Sequence, residues 1–184
     1  MTSKDVAVIV GSLRREAFSR KIALALIELA PATLKMEIVE IGALPLYNQD
    51  LDAEPPQEWV RFRDRMRPAQ AVLFVTPEYN RSIPGALKNA LDVGSRPPGQ
   101  SVWNGKPGAI VSSAPGALGG FGANHHLRQP MVFLNVPLMQ QPEAYIGGVN
   151  KLFDADGKLV PATHEFLGKY MQAFAVWVER NSAG

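Results

Sequence analysis

The chain has 184 residues, 46% of them hydrophobic and 20% charged, and it contains no cysteine. This length fits one globular domain with a substantial core, and the lack of thiols excludes disulfides, thiolate metal sites and cysteine nucleophiles. The formal net charge of +2 describes a mildly basic protein, without the concentrated basic face that nucleic-acid binding requires.

The apolar runs of the chain are short. A membrane helix needs about 20 apolar residues, and the run at 6–10 is also too short for the core of a signal peptide. The main group of cations, Arg61, Arg63, Arg65 and Arg67, has an alternate spacing that distributes charge around a helix. We therefore expect a cytoplasmic protein that binds neither nucleic acid nor membranes.

Strand-like and helix-like segments alternate along the first half of the chain. An apolar, β-branched run predicts the first strand, and apolar residues on one helical face predict a helix after it, with Ser19 at the capping position. A run that alternates apolar and acidic residues is typical of a strand near a sheet edge. The predicted elements are a strand at 5–10, a helix at 18–29, a strand at 36–41, a helix at 55–67, a strand at 71–75 and a helix at 85–93.

The second half continues the alternation after an irregular connection at 95–107, which holds three prolines and two glycines. On the last helix, apolar spacing predicts one buried face with Phe166, Tyr170, Phe174 and Trp177. The predicted elements are a strand at 108–113, a glycine-rich turn at 114–120, a helix at 121–133, a fifth strand at 136–139, a small hairpin at 152–160 with Asp-Gly at its turn, and a helix at 162–179.

This alternation predicts an α/β fold in one domain over residues 1–184, with helices on both faces of a parallel sheet. Five strands favour the flavodoxin-like three-layer sandwich with strand order 2-1-3-4-5. In that order the connections after the first and third strands leave in opposite directions. They open a crevice at the carboxyl ends of the strands, where such sheets bind ligands.

The loop that follows the third predicted strand is the most informative segment. Residues 76–85 read TPEYNRSIPG and combine two prolines, an aromatic residue, an acid and an amide. Such a loop is rigid and rich in backbone donors, which suits a flat ring with polar edges. The alternative is an ordinary proline-rich turn.

The loop after the first strand, residues 11–19, has the features of a phosphate site. A helix N-terminus attracts anions, Ser12 and Ser19 add hydroxyls, and the Arg14 guanidinium can grip phosphate oxygens in pairs. The alternative is an exposed turn with an incidental arginine. Together with the glycine-rich turn after the fourth strand, the two loops form a slot with a phosphate end and a ring end, for which FMN is the leading candidate.

Other ligand motifs are incomplete. The segment 99–106 is one residue too long for a Walker loop, and Pro107 replaces the hydroxyl that the motif needs. Residues 154–157 lack the later acidic ligand of a calcium loop. The three histidines, which do not have metal-ligand spacing, are His125, His126 and His164.

Several motifs occur together in a fixed order: GSLR at 11–14, PEYN at 77–80, SIPGALKN at 82–89, WNGKP at 103–107 and the glycine pair at 119–120. In these the chain resembles the NAD(P)H-dependent FMN reductase family, in its bacterial quinone, chromate and azo-dye reductase branch. The resemblance extends from Val6 to about Trp177.

The resemblance implies an oxidoreductase that passes two electrons from NADPH or NADH, through bound FMN, to a quinone, chromate, an azo compound or a flavin. It implies chemistry carried by FMN, with no catalytic residue and no metal. Glu78 has a structural alternative, as an anchor of its loop or of a partner subunit. The implied FMN-binding residues are Ser12, Leu13, Arg14, Phe18, Ser19, Pro77, Glu78, Tyr79, Asn80, Ser113 and Gly116, and the implied substrate residues are Arg81 and Gly119.

The chain departs from the family pattern at three positions. Ala17 stands where many relatives have serine, Ser19 where they have asparagine, and Arg81 where some have an aromatic residue beside the flavin. Relatives also dimerise or form tetramers, so we expect a homodimer or homotetramer. The apolar candidates for that interface, with core packing as the alternative, are Trp103, Phe121, Met131, Val132 and Phe133.

Three other functions share parts of this pattern. A flavodoxin-type electron carrier is usually strongly acidic, whereas this chain has an isoelectric point near 9.0. A phospho-receiver needs aspartates where Gly11, Ser12 and Thr76 stand. A flavin-free nucleotide-binding enzyme is the third alternative.

Overall fold

The protein, described here by a computed structural model over residues 3–182, contains a five-stranded parallel sheet with the order β2-β1-β3-β4-β5. This is the predicted flavodoxin-like order. The N-terminal segment, in which no signal peptide is expected, includes residues 1–2, which lie outside the described range. The strands are β1 (Lys4–Val10), β2 (Leu34–Ile38), β3 (Ala71–Pro77), β4 (Gly108–Ser113) and β5 (Ala144–Ile146).

Helices cover both faces of this sheet. The helices are α1 (Phe18–Glu28), α2 (Gln57–Met66), α3 (Gly85–Gly94), α4 (Phe121–Phe133) and α5 (Pro161–Asn181), with short 3-10 turns at Gln49–Leu51 and Val149–Lys151. Each of these five helices agrees with its predicted position, and β2 is an edge strand that begins and ends earlier than predicted. Within residues 3–182, no helix combines the length and apolarity needed to cross a membrane.

The core has two layers because β1, β3 and β4 are buried on both sides. One layer packs β-strand residues against α1 and α5, with Ile22 and Phe174 fully buried in it. The other packs the opposite side against α2, α3 and α4, around Trp59 and Trp103. Burial on both faces explains why these strands read as continuous apolar runs.

Strand register brings the ends of the three central strands together. Val10 at the end of β1 pairs with Val75, and Pro77 at the end of β3 pairs with Ser113 at the end of β4. The loops that follow these strands therefore start at the same edge of the sheet. This register creates the crevice described below.

The predicted fifth strand at 136–139 is wrong. Within that segment, Leu138 makes an isolated bridge to Gly108, while β5 pairs further along, with Ala144 beside Val111. The step from Leu138 to Ala144 is six residues, whereas the step from Gly108 to Val111 is three, so the chain loops away from β4 between the two contacts. Pro137 also has no N–H to give to a ladder.

The apolar face of α5 also differs from the prediction. Phe166 is exposed, and Trp177 is partly buried with its Nε1 donating to Pro137 O at 3.0 Å. The predicted face omitted three non-aromatic residues that follow the helical period, Leu167, Met171 and Val178. The residues of α5 that are buried are Leu167, Tyr170, Met171, Phe174 and Val178.

The segment at 152–160 forms the predicted turn as a single bridge between Phe153 and Leu159. The Asp154 carboxylate accepts hydrogen bonds from the backbone nitrogens of Asp156 and Lys158, at 3.0 and 2.8 Å. These hydrogen bonds give the Asp154 carboxylate partners within its own loop. The resemblance of this segment to a calcium loop therefore has no functional meaning here.

The arginines of α2 are distributed as their spacing predicts. Arg63 is buried and donates through Nε to Val93 O at 2.9 Å. Arg61, Arg65 and Arg67 lie at the surface, where each pairs with an acidic side chain. Their charge is therefore neutralised by neighbouring carboxylates.

Candidate functional site

The loops after β1, β3 and β4 enclose a cleft of about 170 Å³ at the carboxyl edge of the sheet. This volume is below the roughly 300–1,000 Å³ of typical small-molecule sites, so a ligand of that size would extend beyond the cleft. The residues that line it are Ser12, Arg14, Ala17, Phe18, Ser19, Pro77, Glu78, Tyr79, Ser113, Ala114, Pro115 and Val149.

The floor of the cleft depends on a close contact between the first two loops. A Cβ atom on Gly11 would lie 2.6 Å from Thr76 Oγ1 and 3.1 Å from Thr76 Cβ, so this position requires glycine. The next residue, Ser12, accepts a hydrogen bond from the Arg14 N–H at 3.3 Å, and its Oγ lies 3.4 Å from Tyr79 Oη. Ser12 thus links the β1 loop to the β3 loop.

The N-terminus of α1 opens into the cleft without a side-chain cap. The N-cap position belongs to Ala17, which has no hydroxyl, and the first turn holds no acidic residue. The prediction that Ser19 caps this helix is therefore wrong. Ser19 lies inside the first turn, where its buried Oγ has no hydrogen-bond partner among the described residues. A helix end with free N–H groups beside an unpaired hydroxyl is suited to an anion.

The β3 loop is fixed by contacts to α4. Glu78 Oε2 accepts from the Ala123 N–H at 3.1 Å, and Ser82 Oγ lies 2.7 Å from His126 Nδ1. Glu78 Oε1 also accepts from Arg81 Nη1 at 3.1 Å. Glu78 therefore anchors its own loop within the chain while it lines the cleft.

The β4 loop supplies the opposite wall. Ser113 is buried, and its Oγ has no hydrogen-bond partner within the described residues. Gly119 points away from the cleft, because a Cβ atom there would lie 2.4 Å from the carbonyl carbon of Tyr145. Gly116 O accepts from the Gly119 and Gly148 N–H groups, each at 3.3 Å. The glycine-rich turn thus packs on the chain after β5.

The structure brings together most of the residues that the sequence predicts for the site. Those on the cleft are Ser12, Arg14, Phe18, Ser19, Pro77, Glu78, Tyr79 and Ser113. Those outside its lining are Leu13, Asn80, Arg81, Gly116 and Gly119. Leu13 is exposed and packs on Gly42, while Asn80 and Arg81 form the tip of the β3 loop.

Four lining residues were missed by the sequence prediction: Ala17, Ala114, Pro115 and Val149. The position of Ala114 and Pro115 directly after β4 was a usable signal. Val149 had none, because it follows β5 and reaches the cleft through a backbone hydrogen bond to Ala114 O at 3.3 Å.

An aromatic cluster lies beside the site, at the start of α4. The rings of Phe121 and His125 are 4.3 Å apart, and His125 Nε2 lies 2.9 Å from Tyr145 Oη. Burial raises the pKa of Tyr145 to about 12, and the neighbouring Glu143 carboxylate adds to the shift. Tyr145 is therefore a neutral hydrogen-bonding group at physiological pH.

The five apolar candidates for an interface divide into two groups. Trp103 and Met131 are buried in the core, so their predicted role at an interface is replaced by packing. Phe121 remains half exposed, and Val132 and Phe133 at the end of α4 are 82% and 90% exposed. Across residues 3–182, no three His, Asp or Glu side chains converge as metal ligands would.

Comparison with known proteins gives three close similarities and one family. The family model of NADPH-dependent FMN reductase matches residues 5–151. The chain is 63% identical to a quinone reductase of Pseudomonas putida over 180 residues, covering 97% of each chain. It is 48% identical to a 2-hydroxy-1,4-benzoquinone reductase of a Burkholderia species, covering 94% of this chain and 95% of that one. The structure of FerB, a flavoenzyme NAD(P)H:(acceptor) oxidoreductase from Paracoccus denitrificans, superposes with a TM-score of 0.92 at 40% identity, covering 98% of this chain and 100% of that one.

Proposed function

Because the chain belongs to the NADPH-dependent FMN reductase family, we propose that it is an NAD(P)H-dependent quinone reductase with FMN as its cofactor. Quinones are the proposed acceptors because the Pseudomonas putida and Burkholderia relatives are named as quinone reductases. Chromate, azo compounds and free flavins are proposed as further acceptors, and the cytoplasm as the place where the enzyme meets its donor.

The observation that carries the proposal is a pair of buried hydroxyls, Ser19 Oγ and Ser113 Oγ, which both belong to residues that line the cleft and have no hydrogen-bond partner within residues 3–182. A buried polar group without a hydrogen bond is costly, so such groups are expected to have a ligand partner. Arg14 and the uncapped start of α1 add the positive charge that a phosphate group requires. These residues fit the phosphate end of FMN.

The residues of the β3 loop would hold the ring end. Pro77, Glu78 and Tyr79 line the cleft, and the Tyr79 N–H is already bonded to Ser82 O at 2.9 Å. Among residues 78–80, the N–H groups of Glu78 and Asn80 are therefore the candidates to face a ring edge. Donors fixed in this way would stabilise negative charge on the ring edge, as an oxyanion hole does.

The chemistry that FMN supplies when bound is two-electron transfer from NAD(P)H to the acceptor. The protein binds and orients, and no side chain of the cleft is needed as an acid or base. Because the cleft is small, a bound FMN would extend beyond it, and the part outside would be accessible to donor and acceptor. Such an open site would support acceptors of different shapes.

We further propose that the chain works as a homodimer or homotetramer. The exposed Val132 and Phe133 lie together at the end of α4, where they would be buried by a second copy. Light scattering of the purified protein measures this directly. A monomer at micromolar concentration would contradict it.

The test of the function is an anaerobic titration of the FMN-loaded protein. NADPH or NADH is expected to bleach the flavin absorption band, and 1,4-benzoquinone is expected to restore it. A protein that neither donor bleaches, but that a separate reductase does reduce, would be an electron carrier. A protein that binds no flavin would support a different nucleotide-binding function.

A further inference from the structure

The tip of the β3 loop carries an unusual backbone conformation at Arg81. Asn80 and Arg81 have left-handed φ angles of 51° and 64°. They lie between Tyr79 and Ser82, whose backbones exchange hydrogen bonds of 2.9 and 3.0 Å. This is a two-residue hairpin turn, in which asparagine suits the first position and glycine the second. An arginine in the second position is strained, and strain of this kind is concentrated at functional sites.

Contacts around the tip hold Arg81 in a fixed place. Glu78 binds the Ala123 N–H, Ser82 Oγ contacts His126 Nδ1, and the Tyr79 hydroxyl lies 3.4 Å from Ser12 Oγ. The backbone of Arg81 itself packs on α4, because a Cβ atom on Gly122 would lie 3.0 Å from Arg81 O. The guanidinium is therefore displayed from a rigid support at the cleft rim.

The Arg81 side chain does not hold the loop together. It is 76% exposed, whereas its partner Glu78 is 12% exposed and has its second oxygen on Ala123. An exposed ion pair contributes little to stability, so the loop stays anchored if Arg81 turns to another anion. Local stability therefore does not account for the strained arginine, whose exposed guanidinium is available to a ligand.

We propose that Arg81 selects electron acceptors that carry a negative charge, such as quinones with an ionised hydroxyl, carboxylate or sulfonate group. A guanidinium donates paired hydrogen bonds to such oxygens. The inference rests on the proposed quinone reductase function. The stoichiometry of the reaction is unchanged: NAD(P)H, a proton and the quinone give NAD(P)⁺ and the hydroquinone. Arg81 supplies affinity for the charged acceptor and takes no part in electron transfer.

The test compares two acceptors that differ by one charged group, 1,4-naphthoquinone and 1,4-naphthoquinone-2-sulfonate, with the FMN-loaded enzyme. The measured quantity is the ratio of kcat/KM for the sulfonate to kcat/KM for the neutral quinone. We expect Arg81→Gln to lower this ratio about fivefold, in the range of an exposed charge interaction, and Arg81→Lys to restore most of it. A ratio that is unchanged in Arg81→Gln overturns the proposal.

Two further measurements distinguish acceptor selection by Arg81 from donor binding and from an effect of backbone strain. If Arg81 bound the donor instead, Arg81→Gln would raise KM for NADPH relative to NADH and leave the quinone ratio unchanged, which also overturns the proposal.

Arg81→Gly relieves the strained φ and is expected to fold at least as stably while losing the sulfonate preference. A wild-type enzyme that reduces neither quinone contradicts the proposed function and this inference together, whereas turnover with an unaltered ratio contradicts the inference alone.

Discussion

Glu78 Oε2 lies 3.1 Å from the backbone nitrogen of Ala123, so a side chain of the β3 loop accepts a hydrogen bond at the first turn of α4. A carboxylate at this end of a helix also interacts favourably with the helix dipole. The contact ties the position of the cleft wall to a helix of the opposite core layer. One residue thus serves both the site and the stability of the fold.

Replacing Glu78 tests this double role. We expect Glu78→Ala to lower the free energy of unfolding by about 1–2 kcal/mol, the range for losing a helix cap. Urea unfolding followed by circular dichroism measures it. The matched control is Glu165→Ala, which removes an exposed pair with Lys169 on α5 and should leave the free energy of unfolding nearly unchanged. Equal losses in the two variants would argue against the capping role.

Gly11 is predicted to accept no side chain unless Thr76 shifts. Gly11→Ala brings a methyl group to 2.6 Å from Thr76 Oγ1, next to a fully buried strand, and should cost about 1–3 kcal/mol and weaken flavin binding. Gly85→Ala is the control, because no atom lies within 4 Å of its added Cβ. Removing the Thr76 hydroxyl in Gly11→Ala/Thr76→Ala should recover part of the loss. If Gly11→Ala unfolds like wild type, the packing between the β1 and β3 loops is looser than described.

Two adjacent serines of β4 should respond in opposite directions. Ser113→Ala removes a buried hydroxyl without a partner, and we expect the flavin-free protein to gain about 0.5–1 kcal/mol while FMN affinity falls about tenfold. Ser112→Ala removes a hydroxyl that lies 3.4 Å from Ala144 O and 3.3 Å from Asn124 Nδ2, and should destabilise by about 1 kcal/mol. Thermal melts and flavin titration measure both effects. A Ser113→Ala protein that is destabilised and binds FMN normally would remove the main support for the cofactor site.

Tyr145 should make the protein sensitive to alkaline pH. Burial raises its pKa to about 12 in the folded state, while an unfolded tyrosine ionises near about 10. The unfolded chain loses the proton first, so the stabilising contribution is complete below about pH 10 and is lost as the pH rises from about 10 to 12. Urea midpoints across this range should fall less steeply in Tyr145→Phe than in wild type. Parallel curves for the two proteins would contradict the shifted pKa.

The sequence predicts the sheet and three loops because each depends on local features. The runs at 6–10, 71–75 and 108–111 are apolar throughout, and a glycine or proline lies shortly after each, which is how buried parallel strands end at a ligand crevice. Five strands then favour the order 2-1-3-4-5, which the structure has, although the segment predicted as the fifth strand is not β5. The lining residues that follow these strands directly were predictable for the same reason.

Features that depend on pairing between segments far apart in the sequence could not be predicted in this way. Val136 and Leu138 have strand-like character, but pairing with β4 is completed only after the chain loops out and returns at Ala144. Val149 joins the cleft only because β5 carries it there. Ala17 was noted as a missing hydroxyl, whereas in the fold its position at the N-cap leaves the first N–H groups of α1 open to a ligand.

The central claim is that the cleft grips a phosphate through Arg14, the serine hydroxyls and the start of α1. The most direct measurement is the Kd of FMN and of riboflavin for the flavin-free protein, by quenching of flavin fluorescence, in wild type and in Arg14→Gln. We predict that wild type binds FMN at least about tenfold more tightly than riboflavin, and that Arg14→Gln removes most of this difference. Equal affinity of wild type for the two flavins, or a preference for FMN that Arg14→Gln leaves intact, would contradict the account.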